Sequence, residues 1–136
     1  MAFLNPVVPY LLTGVYGCTA IVMGTISWHG LKDKDEHQRA SANIGAHYQL
    51  LHSAAMVGLL GLMQSSSLSP CQLCLAEVSF SLLAAGTTLF CGTVYAKVFK
   101  GDAFPKRAGV LAPTGGFLLM GGWLLIAGIP FLRSSA

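Results

Sequence analysis

The chain has 136 residues, of which 54% are hydrophobic and only 10% charged, with a formal net charge of +3. A soluble domain carries roughly 25% charged residues. This composition, with a mean hydropathy of +0.64, therefore excludes an ordinary water-covered globule and predicts a single integral membrane domain. The Lys and Arg residues lie between apolar runs instead of clustering on a soluble face, which excludes a nucleic-acid binder.

The first apolar run, residues 7–28, carries no charge. At ~1.5 Å per residue it is long enough for a hydrocarbon layer of ~30 Å. Asn5-Pro6 reads as its start signal, with Pro in the first turn. Residues 1–6 hold no Lys or Arg, so a cleaved signal peptide with a basic leader is not expected. Ala20 and Gly24 form a small-xxx-small pair that lets a neighbouring backbone approach. Residues 29–43 then carry mixed charges from Lys32 to Arg39. They read as a solvated loop with at most a short surface helix.

The second run, residues 44–64, contains Tyr48, Gln49 and His52. Polar groups at membrane depth are costly and need partners or a function. Tyr48 and His52, four apart, share a helix face that Met56 extends. His52 is expected to pair with a hydroxyl such as that of Thr87, Thr88 or Tyr95. A turn rich in Ser comes next. Ser69-Pro70 with Gln72 has the form of a capped helix start.

The third run, residues 71–95, opens on Cys71-Gln72-Leu73-Cys74. A C-x-x-C at a helix start favours thiolates, so packing thiols, a Cys71–Cys74 disulfide and a redox or metal role are all open. Glu77, about two turns in, is a candidate for an ion or proton path, or else reaches the headgroups. The basic segment 96–109 leads to the fourth run, residues 110–131, with Pro113 in its first turn. Gly115, Gly116, Gly121 and Gly122 give that run a thin face. Trp28 and Trp123 suit membrane interfaces, and Trp123 equally suits packing between helices.

Four spans with short connections predict an all-α, antiparallel four-transmembrane-helix bundle. Seven of the eight Lys and Arg fall in segments 29–43 and 96–109, and only Arg133 falls elsewhere. The positive-inside rule puts those segments in the cytoplasm or mitochondrial matrix, with both termini and the Pro70-Cys71 turn opposite. The chain offers no nucleophile–base pair, phosphate loop or catalytic carboxylate pair. His47 and His52 lie on one helix, whereas a haem held between helices needs His on two; only a site at one surface built from His29 and His47 stays open. We expect no enzyme activity, no catalytic, cofactor or metal residue, and no small-molecule substrate. No cofactor is expected, with a structural phospholipid such as cardiolipin left open as a bound molecule.

Four stretches in order carry a resemblance. They are Gly24-Thr25-Ile26-Ser27-Trp28-His29-Gly30-Leu31, Tyr48-Gln49-Leu50-Leu51-His52-Ser53-Ala54, Gly86 to Tyr95 with Phe90 and Gly92, and Ala112-Pro113-Thr114-Gly115-Gly116 with Gly122-Trp123. Across Gly24 to Gly128 the chain resembles the transmembrane protein 256 family, also catalogued as domain-of-unknown-function family 423. Ser27-Trp28 stand where that family has small residues, Cys91 where it has Ser and Ala112 where it has Thr. The C-x-x-C is outside its pattern. The resemblance implies a small four-span protein of bacterial or mitochondrial membranes with no established reaction. It assigns His29, Tyr48, Gln49, His52, Gly92, Tyr95, Pro113, Gly115, Gly116 and Trp123 to the common core.

The polar core is accordingly expected to comprise His29, Tyr48, Gln49, His52 and Tyr95. Gly24, Gly92, Pro113, Gly115, Gly116, Gly122 and Trp123 are expected to serve helix packing. The expected role is a non-catalytic accessory subunit or assembly factor of a respiratory-chain complex, with lipid and other membrane subunits as partners. The expected location is the mitochondrial inner membrane with termini toward the intermembrane space, or a bacterial plasma membrane with periplasmic termini. The alternative is a small transporter or ion or proton conductor using Glu77, His52 and Tyr48.

Overall fold

The computed structural model describes residues 7–132; the start signal at Asn5-Pro6 and Arg133 lie outside them. Four α-helices run in sequence: α1 (Val7–Thr25), α2 (Glu36–Met63), α3 (Pro70–Lys100) and α4 (Leu111–Gly128). A π-helical turn, Ile26–Gly30, extends α1, and 3-10 turns at Gly101–Ala103, Lys106–Val110 and Ile129–Leu132 flank α4. No strand occurs among the described residues.

α2 and α3 start for local reasons. Asp35 is extended, and its carboxylate accepts the Gln38 backbone N–H at 2.7 Å. That cap starts α2 at Glu36, so most of the segment expected as a solvated loop is helix. An acidic cap also complements the positive end of the helix dipole. Ser69 and Gln72 form the expected reciprocal cap: the Gln72 N–H donates to Ser69 Oγ at 3.3 Å, and the Ser69 N–H to Gln72 Oε1 at 3.0 Å. Pro70 occupies the first turn, where its missing N–H is no loss. α3 runs past the expected residue 95 and stops at Gly101, whose φ of +53° suits a residue without a Cβ.

Three segments are long and apolar enough to cross a membrane: Val7–Gly30, Pro70–Ala103 and Lys106–Leu132. α2 is not a clear span, which narrows the expectation of four. Glu36, His37, Gln38 and Arg39 occupy its first turn, and Asn43, His47, Gln49, His52 and Ser53 interrupt the apolar residues beyond it. Inside the fold Gln49 finds partners on both neighbouring helices, whereas the buried Nε of Arg39 has none.

Packing is serial. α1 lies on α2, α2 on α3 and α3 on α4, as short connections require. The main core joins α2, α3 and α4 through Met56, Leu59, Phe80, Leu83, Leu119 and Ile129. A smaller cluster of Leu31, Ala42 and Val98 closes the other end, near the π turn. α3 and α4 cross most closely. A Cβ on Gly115 would stand 2.5 Å from the Phe90 backbone nitrogen and 2.8 Å from the Gly86 carbonyl. One on Gly122 would meet Leu83 Cδ2 at 2.7 Å. Small residues let these backbones touch, as in membrane helix pairs generally.

Candidate functional site

The polar groups converge on Gln49, on the buried face of α2. Its amide Nε2 donates to the Tyr16 carbonyl at 3.0 Å and to Thr19 Oγ1 at 2.5 Å, both on α1. Its Oε1 accepts the Tyr95 hydroxyl of α3 at 2.8 Å. One side chain, 5% exposed, thus ties three helices. Tyr16 extends the network, donating its hydroxyl to the Ala84 carbonyl at 3.1 Å and pairing with the Thr88 hydroxyl. Beside it, Gly45 leaves room for the Tyr95 ring: a Cβ there would be 2.8 Å from Tyr95 Cε1. Cys91 Sγ donates to the Gly45 carbonyl at 3.4 Å.

His52 is buried but points elsewhere. Its Nδ1 lies 2.6 Å from the Tyr48 carbonyl one turn back. Its ring meets Trp123 of α4 edge-on, with centroids 6.2 Å apart. The expected bond to Thr87, Thr88 or Tyr95 does not form: Thr88 and Tyr95 are engaged in the network on the α1 side, whereas His52 faces α4. Tyr48 is exposed rather than a core hydrogen-bonding group. Its ring stacks on Phe90 at 5.0 Å. His29 is likewise exposed, in the π turn, and stands apart from the polar core.

The packing residues divide. Gly115 and Gly122 lie at the α3–α4 crossing, and a Cβ on Gly24 would reach Ala46 at 3.9 Å. Gly92 and Gly116 differ from the expectation: a Cβ on either would meet nothing within 4 Å, so neither glycine is needed for a close approach. Pro113 lies in the first turn of α4, where its ring fits the helix start. Trp123, 42% exposed, is half against His52 and half outside. Cys71 and Cys74 are exposed free thiols in the first turns of α3, not a disulfide. Glu77, in the second turn of α3, is buried within the fold.

Two further polar features escape sequence reasoning. Tyr16 and Thr19 lie in an uncharged run with no pattern to single them out. Thr87 is buried, and its Oγ1 has no hydrogen-bond partner. Threonines 13, 19, 25, 88 and 114 all donate to the carbonyl four residues back, a bond that Thr87 lacks. Among the described residues, no group of three or more His, Cys, Asp or Glu could hold a metal ion.

The arrangement around Gln49 joins helices; away from it, Ser41 Oγ lies 3.5 Å from His37 Nδ1 near the start of α2. No solved structure matches the chain. A family model does, over residues 23–116, taking in the π turn, α2, α3 and the first turns of α4. It covers Gln49 and Tyr95 but ends before Gly122 and Trp123. The chain therefore belongs to the family described as "Protein of unknown function (DUF423)".

Proposed function

We propose that this protein is a non-catalytic membrane scaffold, an accessory subunit or assembly factor of a larger complex in an energy-transducing membrane. The carrying observation is the use made of Gln49. Both ends of its amide are consumed in holding α1, α2 and α3 together. Groups spent on internal bonds are not presented to a substrate. The outer surface is apolar and aromatic, with Trp28, Phe117, Leu124 and Phe131 between 67% and 87% exposed. Such a surface suits lipid or a partner helix.

In this reading α2 crosses the membrane as well, giving four antiparallel spans, with its polar groups sheltered by α1 and α3. The seven described Lys and Arg residues gather at one end of the bundle and face the cytoplasm or matrix. The mitochondrial inner membrane and the respiratory chain are the favoured setting, by analogy of size and architecture. Complexome profiling of mild-detergent extracts tests this. Comigration with a large assembly is expected; migration near monomer or dimer mass would refute a stable subunit role.

The conductor reading draws on one observation, the buried carboxyl side chain of Glu77. Against it, Gln49 and His52 turn to different neighbours, α1 with α3 in one case and α4 in the other. Proteoliposomes are expected to show no ion flux. Flux abolished by Glu77→Gln would favour the conductor instead.

A further inference from the structure

We infer that the loop end of the bundle holds a binding site for a zwitterionic phospholipid headgroup bearing a primary amine, of the phosphatidylethanolamine type. A cavity of about 330 Å³ lies where the first turns of α2 and α4 meet the last turns of α3. It exists because the chain reverses at Gly101, with positive φ, and because Gly109 and Ala112 present little side chain to it.

The lining carries both signs of charge. Lys97 and Asp102 both line the cavity, and among the described residues neither makes an ion pair. An anion alone would be drawn by Lys97 and repelled by Asp102; a cation alone would meet the reverse. A headgroup with a phosphate and an ammonium a few bonds apart satisfies both at once. The Gln38 side-chain amide and His37, whose Nδ1 lies 3.5 Å from Ser41 Oγ, are also on the lining and add groups of the kind that bind phosphate oxygens. Asp102 accepts hydrogen bonds from a primary ammonium and cannot do so from a trimethylammonium.

Position and apolar content point to a lipid. α3 has 31 residues, about 46 Å at ~1.5 Å each, so it outlasts a ~30 Å hydrocarbon layer. Lys97 lies in its last turn, at headgroup depth. Thr93 and Val94, about a turn before Lys97, continue the cavity along α3 toward the side where acyl carbons would lie. The site requires membrane embedding and no partner protein, so it stands or falls separately from the accessory-subunit reading.

The test is native mass spectrometry of the purified full chain in micelles doped equally with phosphatidylethanolamine, phosphatidylcholine and phosphatidylglycerol. Retention of phosphatidylethanolamine about tenfold over each of the others is expected, the scale of one charge-assisted hydrogen bond. Asp102→Asn should shift that preference toward phosphatidylglycerol. Lys97→Gln should lower retention of all three, while Lys32→Gln, outside the cavity, leaves retention unchanged. Equal retention of the three lipids, or an Asp102→Asn protein with the original preference, would overturn the inference. Displacement of the lipid by an equal concentration of soluble phosphoethanolamine would assign the site to a free phosphoamine and overturn the lipid. A melting temperature for each variant separates loss of binding from loss of fold.

Discussion

Gln49→Leu keeps the size and apolar fit of α2 but removes bonds to two helices and leaves the Tyr95 hydroxyl and the Tyr16 carbonyl without that partner. Interhelical hydrogen bonds in membranes average about 0.6 kcal/mol, so the variant should lose roughly 1–2 kcal/mol. Titration of the detergent-solubilised protein with a denaturing detergent would measure it. His52→Leu should cost less, because its hydrogen bond stays within α2 and only its contact with Trp123 crosses to α4. A larger loss for His52 than for Gln49 would contradict this ranking. Thr87→Val should go the other way. It removes a buried hydroxyl that has no partner and keeps the branched shape, so a gain of up to about 1 kcal/mol is expected in the same titration.

At the scale of the element, the glycines of α4 differ by the face they occupy. Gly115→Ala places a methyl 2.5 Å from the Phe90 backbone nitrogen, which no rotamer change relieves. α3 and α4 must separate, at a cost of about 2 kcal/mol. Gly116→Ala, one residue on, meets open space and gains helix propensity, so it should be neutral or stabilising by up to about 1 kcal/mol. Thermal unfolding of the pair in one detergent checks both. The sequence shows that α4 is thin but not which glycine faces α3, since a Gly carries no polarity to mark its side. Gly45, against the Tyr95 ring, is hidden in the sequence for the same reason. The start of α2 is legible in principle: Asp35 with Gln38 three residues later has the same spacing as Ser69 with Gln72, though its cap is the one-way bond from the Gln38 N–H. The dense charges around it mask the cap, because composition argues for solvent and says nothing of backbone shape. The Gln49 network is half legible. Gln49 and Tyr95 stand out as polar groups in apolar runs, whereas a Tyr at position 16 looks like any aromatic in a membrane segment.

At the scale of the whole molecule, the question is whether α2 crosses. Lys34 and Cys71 lie at the two ends of that helix, with no other helix between them. In a background lacking Cys18, Cys74 and Cys91, an impermeant maleimide should label Cys71 from one side of sealed vesicles. In a protein that also lacks Cys71, Lys34→Cys should be labelled only from the other side. Labelling of both from the same side would remove α2 from the membrane and leave three spans. The opposed labelling would support four, with the Lys-bearing segments together on one face.

The bonds of Gln49 also have an order in time. Membrane chains emerge N-terminus first, so early segments can pack before later ones exist. The amide of Gln49 donates only backward, to Tyr16 and Thr19 on a helix already made. Its oxygen accepts from Tyr95, some 46 residues still to come. The α1–α2 hairpin can therefore leave the ribosome with the Gln49 donor already quenched, holding one open acceptor as the berth for α3.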